Sequence, residues 1–300
     1  MNKELPIKTI DCPSGNESSE ICPWAPRSGS IRDFPKYGVV ECLNCHLVTH
    51  ETDLRDFIDY KSGSMHDWAS GYGGTLETPK EDILRRLEAI IALSNKNEIN
   101  SILDFGSGEG EMVFALSEFF KVSGLEPEDN ARKRCIKQNA EVFESNEEIQ
   151  NKNLTFDLIT LFHVVEHFYA PYLELNRILN LLNPGGRLII ETPNSQDALL
   201  TKYQSSAFSE FTYWSHHPML HSANSLVKLL EKAGFEIEEN TSVQRYGLAN
   251  HMFWLTSGRP GGHVIWGEMF SRETESSYGK DLVNRGISDT LWVVAKKPLA

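Results

Sequence analysis

The sequence predicts an α/β fold on a doubly wound, mostly parallel sheet, preceded by a small cysteine-rich N-terminal module. Two observations carry that expectation. From residue 99 onward, short apolar runs alternate with amphipathic segments of helical period, as strands joined by crossover helices do. Four of the five cysteines, Cys12, Cys22, Cys42 and Cys45, lie in the first 45 residues and leave Cys135 alone in the remainder.

Residues 1–50 lack periodicity and are rich in Pro, Gly and Ser, which predicts a loop-dominated module. Residues 51–79 form a linker that includes an aromatic, glycine-rich connector (Tyr60, Trp68, Gly71, Tyr72, Gly73, Gly74) and the start of a cap helix. There Thr78 suits an N-cap, Pro79 the first helical position and Glu81 a capping box. Ile83, Leu84, Leu87, Ile90 and Ile91 give that helix one apolar face. The main domain, 80–300, then reads as strand Ile99–Phe105, helix Glu111–Phe120, strand Val122–Leu125, helix Asp129–Asn139 and strand Ala140–Phe143. Strand Phe156–Phe162 and helix Pro171–Leu182 follow. The turn Asn183-Pro184-Gly185-Gly186 leads into strand Arg187–Glu191. A helix capped by Ser222 and ended by Gly234 precedes strands Phe235–Val243 and Thr290–Ala295, with an insertion over 244–285 between them.

Composition narrows the function. The 29 Lys+Arg against 42 Asp+Glu give a net charge of −13, which argues against a nucleic-acid partner. No apolar run reaches the roughly 18 residues of a membrane span, and the first residues lack the apolar core of a signal peptide. The expectation is a cytoplasmic protein acting on a small molecule.

The richest segment is Ile102-Leu103-Asp104-Phe105-Gly106-Ser107-Gly108-Glu109-Gly110, a strand running into a glycine loop and a helix. Glycines let a ligand approach the backbone closely. Glu111 stands where a dinucleotide fingerprint has its third glycine, and Asp104 would repel a pyrophosphate but accept from an ammonium. Glu126 ends the next strand, where an acid grips ribose hydroxyls. A ribose, an ammonium and no diphosphate together describe S-adenosylmethionine.

With these motifs the chain resembles the class I S-adenosylmethionine-dependent methyltransferases, and as a whole is similar to the branch acting on sugars and cell-surface glycans. ILDFGSGEG, GLEP, FDLITLFHVVEHF, LNPGGRLIIETPN and SLVKLLEKAGFEI carry the likeness over residues 80–300. It implies a seven-stranded Rossmann-like sheet with an antiparallel last strand. It also implies a cofactor site at Asp104, Gly106, Ser107, Gly108, Gly110, Glu126, Pro127, Phe162 and His163, and a role in polysaccharide biosynthesis.

Methyl transfer needs an aligned nucleophile and a group to take its proton. His163 and Glu166 follow one strand directly, and His163 is the first candidate base. His217 matches the second histidine of an HEH-like stretch in similar sugar methyltransferases and is a second candidate. Thr192, Asn194, Arg245, Tyr246, Asn250 and His251 supply stacking faces and donors for an acceptor; the insertion could equally be a plain surface element or a homodimer contact.

Cys42-Leu43-Asn44-Cys45 has zinc-knuckle spacing. Similar enzymes open with a C-P-x-C knuckle, here Cys12-Pro13-Ser14-Gly15 with Gly at the second ligand position, so either Cys22, His46 or His50 completes a structural zinc site or the pattern is a metal-free relic. Cys135 reads as a core thiol. Three alternatives stand beside sugar O-methylation: deoxysugar C-methylation, a non-catalytic cofactor-binding subunit, and a zinc hydrolase using His163, Glu166 and His167.

Overall fold

The computed structural model describes Cys12 and residues 22–58, 78–137 and 140–299. The aromatic connector from Tyr60 to Gly74 lies outside the described residues. A seven-stranded sheet forms the body of the molecule. In chain order its strands are β4 (Ser101–Phe105), β5 (Lys121–Leu125), β6 (Glu141–Phe143), β7 (Phe156–Phe162), β8 (Leu182–Pro193), β10 (Glu236–Val243) and β11 (Thr290–Lys296). They lie in the order β10-β11-β8-β7-β4-β5-β6. The pairings from β8 to β6 are parallel, and β11 runs antiparallel to both β8 and β10. The expected doubly wound, Rossmann-like sheet with one reversed strand is therefore present.

Alternation along the buried strands feeds two cores. Leu103, Ile159, Leu161 and Ile190 pack on one face against α5 (Pro171–Leu181) and α8 (Ala223–Lys232). Ile102, Leu158 and Ile189 pack on the other against α1 (Lys80–Ser94) and α2 (Glu111–Ser117). Ser222 caps α8 in a reciprocal box with Ser225, and Gly234 follows at φ +94°. Helix α3 (Asp129–Lys137) covers the outer strands, joined by the unanticipated α4 (Asn146–Asn151).

Several local expectations need correction. Pro79, not Thr78, is the N-cap of α1; the Thr78 hydroxyl instead donates to Glu111 Oε2 at 2.6 Å. Leu84 is exposed, and the helix buries Asp82 and Arg86 beside Ile90. The Asn183–Gly186 turn lies inside β8, because Leu182 pairs with Phe156 ahead of a register shift to Leu158–Arg187. The insertion is helical, as α9 (Leu248–Ser257), α10 (Gly262–Ile265) and α11 (Arg272–Asn284).

Among the described residues, the N-terminal segment is not loop-dominated. Strands β1 (Trp24–Ile31), β2 (Phe34–Cys42) and β3 (Val48–His50) form an antiparallel sheet whose last member is β9 (Met219–Leu220), from the main domain. Thr49 donates to the Pro218 carbonyl at 2.8 Å, Ser195 to that of His46 at 2.7 Å, and Ser222 to that of Cys45. Two short helices, α6 (Ala198–Thr201) and α7 (Ser206–Thr212), lie between β8 and β9. Among the described residues, no helix is long and apolar enough to cross a membrane.

Candidate active site

The parallel strands end together, and the site is built on those ends. Gly106, Gly108 and Gly110 have φ of +78°, +52° and +92°, values that favour glycine. A Cβ on Gly110 would meet Cys135 Sγ at 2.4 Å, so the buried thiol underlies the loop as a packing group; burial pushes it up to about 11. A Cβ on Gly108 would meet nothing within 4 Å, which leaves that edge open to a ligand. Ser107 is seated against Gly124. Glu126, at the end of β5, accepts from the backbone N–H of Gly108 and of Glu128, both at 2.8 Å, and so braces the loop. Pro127 is half-buried beside it, its carbonyl accepting from Arg132.

Asp104 is buried and takes one hydrogen bond among the described residues, from Thr160 to Oδ1 at 2.7 Å. Burial pushes its carboxyl up to about 6, and Glu126 and Glu111 add repulsion, against the pull of Thr160 and Arg86. A cation at Oδ2 would relieve both penalties. Phe162 lies on the same side of the sheet, stacked on Trp292, with the Arg86 guanidinium 4.5 Å from its ring centre.

Beyond β7 and β8 lies a charged network that the motifs did not reveal. Arg85 and Arg86 of α1 hold the two oxygens of buried Glu191 at 2.8 and 2.7 Å. Asp82 receives Arg245 Nε at 2.9 Å and a second nitrogen at 2.6 Å. The third Arg245 nitrogen lies 2.9 Å from His163 Nε2. A guanidinium only donates, so Nε2 is the acceptor and Nδ1 carries the proton, 3.4 Å from Glu166 Oε1. His163 adopts φ +59° and its N–H binds the Glu191 carbonyl at 2.8 Å, so the backbone itself fixes this strained position. Burial alone would raise Glu166, Glu191 and Asp82. Their basic partners outweigh it and hold all three below the ordinary carboxylate range. One sequence signal existed for this network: a charge, Glu191, within the apolar run Leu188–Pro193.

Other predicted residues fall in different places. Thr192 is buried and donates to Glu166 Oε2 at 2.9 Å. Asn194 spends its amide on the carbonyls of Ser288 and Gly286 and its oxygen on the Gln196 N–H, which wires the exit of β8. Tyr246 lies beside the Arg245 guanidinium and the His263 ring. Asn250 is buried where α9 meets Gly262. His251 is bound to Tyr278 at 2.7 Å and Gln244 at 3.2 Å, inside the insertion. Asp289, absent from the sequence reading, accepts the backbone N–H groups of Arg245 and Tyr246 and so presents Arg245 to His163. His217 lies against His167, ring centres 4.9 Å apart, and burial, then His167, push it down to about 3. His163, Glu166 and His167 occupy a strand exit and a single helical turn, not the continuous helix of a zinc-protease motif.

At the far end, Cys12 Sγ lies 3.3 Å from Cys42 Sγ and 3.6 Å from Cys45 Sγ, with Cys22 in the same cluster. A disulfide would need about 2.0 Å. Thiolates around zinc at about 2.3 Å stand roughly 3.8 Å apart, so the spacing fits a closed metal site. The Sγ atoms of Cys12, Cys42 and Cys45 lie within 4.8 Å of one another, Cys22 packs beside them, and His46 and His50 turn away, to Glu41 and the Trp214 carbonyl.

Comparison with known proteins adds the chemistry. The methyltransferase domain profile matches residues 75–240. A probable S-adenosylmethionine-dependent methyltransferase of Mycolicibacterium smegmatis is 24% identical over 205 residues, covering 66% of this chain and 75% of that protein. Among solved structures, an S-adenosylmethionine-dependent methyltransferase from Archaeoglobus fulgidus superposes with a TM-score of 0.52 at 18% identity. That match covers 78% of this chain and 99% of the other. The [4+2]-cyclase SpnF gives 0.50 at 16% identity, over 79% and 96%. Both show the fold. The open edge at Gly108 and the cation-seeking carboxylate of Asp104 fit the cofactor's ribose and ammonium. The chain thus belongs to the class I S-adenosylmethionine-dependent methyltransferases.

Proposed function

We propose that the protein methylates a hydroxyl of a small polar acceptor, a sugar carried on a nucleotide or at a glycan end, with His163 as the general base. The single observation behind this reading is the Asp82–Arg245–His163–Glu166 chain, in which Nε2 takes the Arg245 guanidinium and Nδ1 faces Glu166. S-adenosylmethionine, held by Asp104, the glycine loop and Glu126, supplies an electrophilic methyl group. The acceptor hydroxyl replaces the Arg245 nitrogen at Nε2, gives up its proton there as its oxygen bonds the methyl carbon, and the carbon–sulfur bond breaks to leave S-adenosylhomocysteine. Glu166 stabilises the imidazolium. Arg245, displaced by the acceptor, offers a planar donor pair to a phosphate or carboxylate of the substrate, and Tyr246 a stacking face.

The test is methyl transfer across a panel of nucleotide sugars with wild type, His163→Ala and His163→Gln. Loss of about 10²–10⁴-fold in kcat, with S-adenosylhomocysteine affinity kept, is expected for both variants. Undiminished turnover in both would remove His163 as the base. The cysteine cluster is proposed to hold one structural zinc ion through Cys12, Cys22, Cys42 and Cys45, with no part in methyl transfer.

A further inference from the structure

We propose that Glu166, His167 and His217 form a second metal site, separate from the cysteine cluster, that takes a first-row divalent cation through one carboxylate and two imidazoles. One ligand atom from each lies within 4.8 Å of the others. The residues come from two elements, the turn after β7 and the loop before β9, so an ion would tie the 214–218 loop to the strand ends. This inference rests on the methyl-transfer reading only for the ion's role, not for its presence.

Three features prepare the groups for an ion. His167 Nδ1 is 2.6 Å from the His216 carbonyl, the outer hydrogen bond that ligating histidines usually make, so Nε2 would ligate. Glu166 is oriented at Oε2 by Thr192 and at Oε1 by His163, and each carboxylate oxygen keeps a further lone pair. His217 Nδ1 is buried and has no hydrogen-bond partner among the described residues, with the Trp214 ring against the imidazole at 5.3 Å between centres. An unpaired buried nitrogen is costly unless something fills its lone pair or takes its proton. Two imidazoles and a carboxylate suit Zn²⁺, Fe²⁺ or Co²⁺ better than Mg²⁺ or Ca²⁺. Three protein ligands leave a position for an acceptor oxygen. Such an ion would favour an acceptor with a second oxygen beside the methylated hydroxyl.

The full-length protein is stripped with a chelator and titrated with Co²⁺, read by visible absorption. One equivalent of Co²⁺ without sulfur-to-cobalt charge transfer is expected, distinct from any thiolate-bound ion. In His217→Ala and His167→Ala its affinity falls by at least about tenfold, while calorimetric binding of S-adenosylhomocysteine reports that the variants fold. A wild-type spectrum showing only sulfur-ligated cobalt overturns the site. So does His217→Ala, folded by the same control, that keeps sulfur-free cobalt at undiminished affinity. Uptake is measured without an acceptor, so either negative result leaves methyl transfer by His163 standing.

Discussion

A fully buried carboxylate is expensive unless a cation arrives. Asp104 is in that position: burial, with Glu126 and Glu111 behind it, raises it to about 6 against the pull of Thr160 and Arg86. Binding an ammonium requires the ionised form, so the cofactor must pull a proton off this group at acidic pH. Affinity for S-adenosylmethionine should therefore be flat above pH 6 and fall by about tenfold per pH unit below it. Calorimetry from pH 5 to 8 checks this, and Asp104→Asn should bind weakly with the dependence gone. At this same scale the sequence spoke unevenly. Asp104 and Glu126 announced themselves by their places beside a glycine loop. Asp82, Arg85, Arg86 and Asp289 did not, because a charge on an amphipathic helix or at a strand start ordinarily faces water, and only packing shows that Asp82 and Arg86 are buried.

Helix α1 shows how an element serves two ends. Its apolar side closes one core, and its buried charges hold Glu191 and Arg245 at the strand ends. Removing Arg86 leaves one oxygen of the fully buried Glu191 carboxylate without its guanidinium, while Arg85 still holds the other at 2.8 Å. Arg86→Met should cost about 1–3 kcal/mol in urea unfolding, and Arg86→Met with Glu191→Leu should recover most of it. Recovery of stability would not bring back activity, since His163 would lose the Glu191 side chain 3.4 Å from its Nε2. The elements that were legible, β4 to β8 with α2, α3 and α5, have periodic apolar faces against a shared sheet. The helices of the insertion were not legible, because their Gly, Arg and aromatic content mimics a loop. The paired N-terminal strands were missed for a related reason: their Pro and Gly residues tolerate the edge and bulge positions of a small sheet.

Across the whole molecule, the cysteine cluster and the catalytic strands are joined through β3 and β9 and through buried side-chain-to-carbonyl bonds. Structural zinc should then stabilise more than its own corner. Chelation, or Cys42→Ser with Cys45→Ser, should lower Tm in one cooperative transition rather than melt a separate segment, and scanning calorimetry distinguishes the two. The charge balance behaves similarly at this scale. Glu166, Glu191 and Asp82 are all held below their usual range, so they stabilise the fold above about pH 4.5 and lose that contribution as the medium becomes more acidic.

The bond between Thr49 and Pro218 joins residues 169 apart in the chain. On the ribosome the first-made strands therefore wait, with one edge uncovered, until most of the polypeptide has emerged. A nascent chain halted before residue 219 would expose that edge to chaperones and proteases, and release past it would end the exposure. Order of synthesis, and not only thermodynamics, thus decides when the amino-terminal end of this enzyme becomes safe.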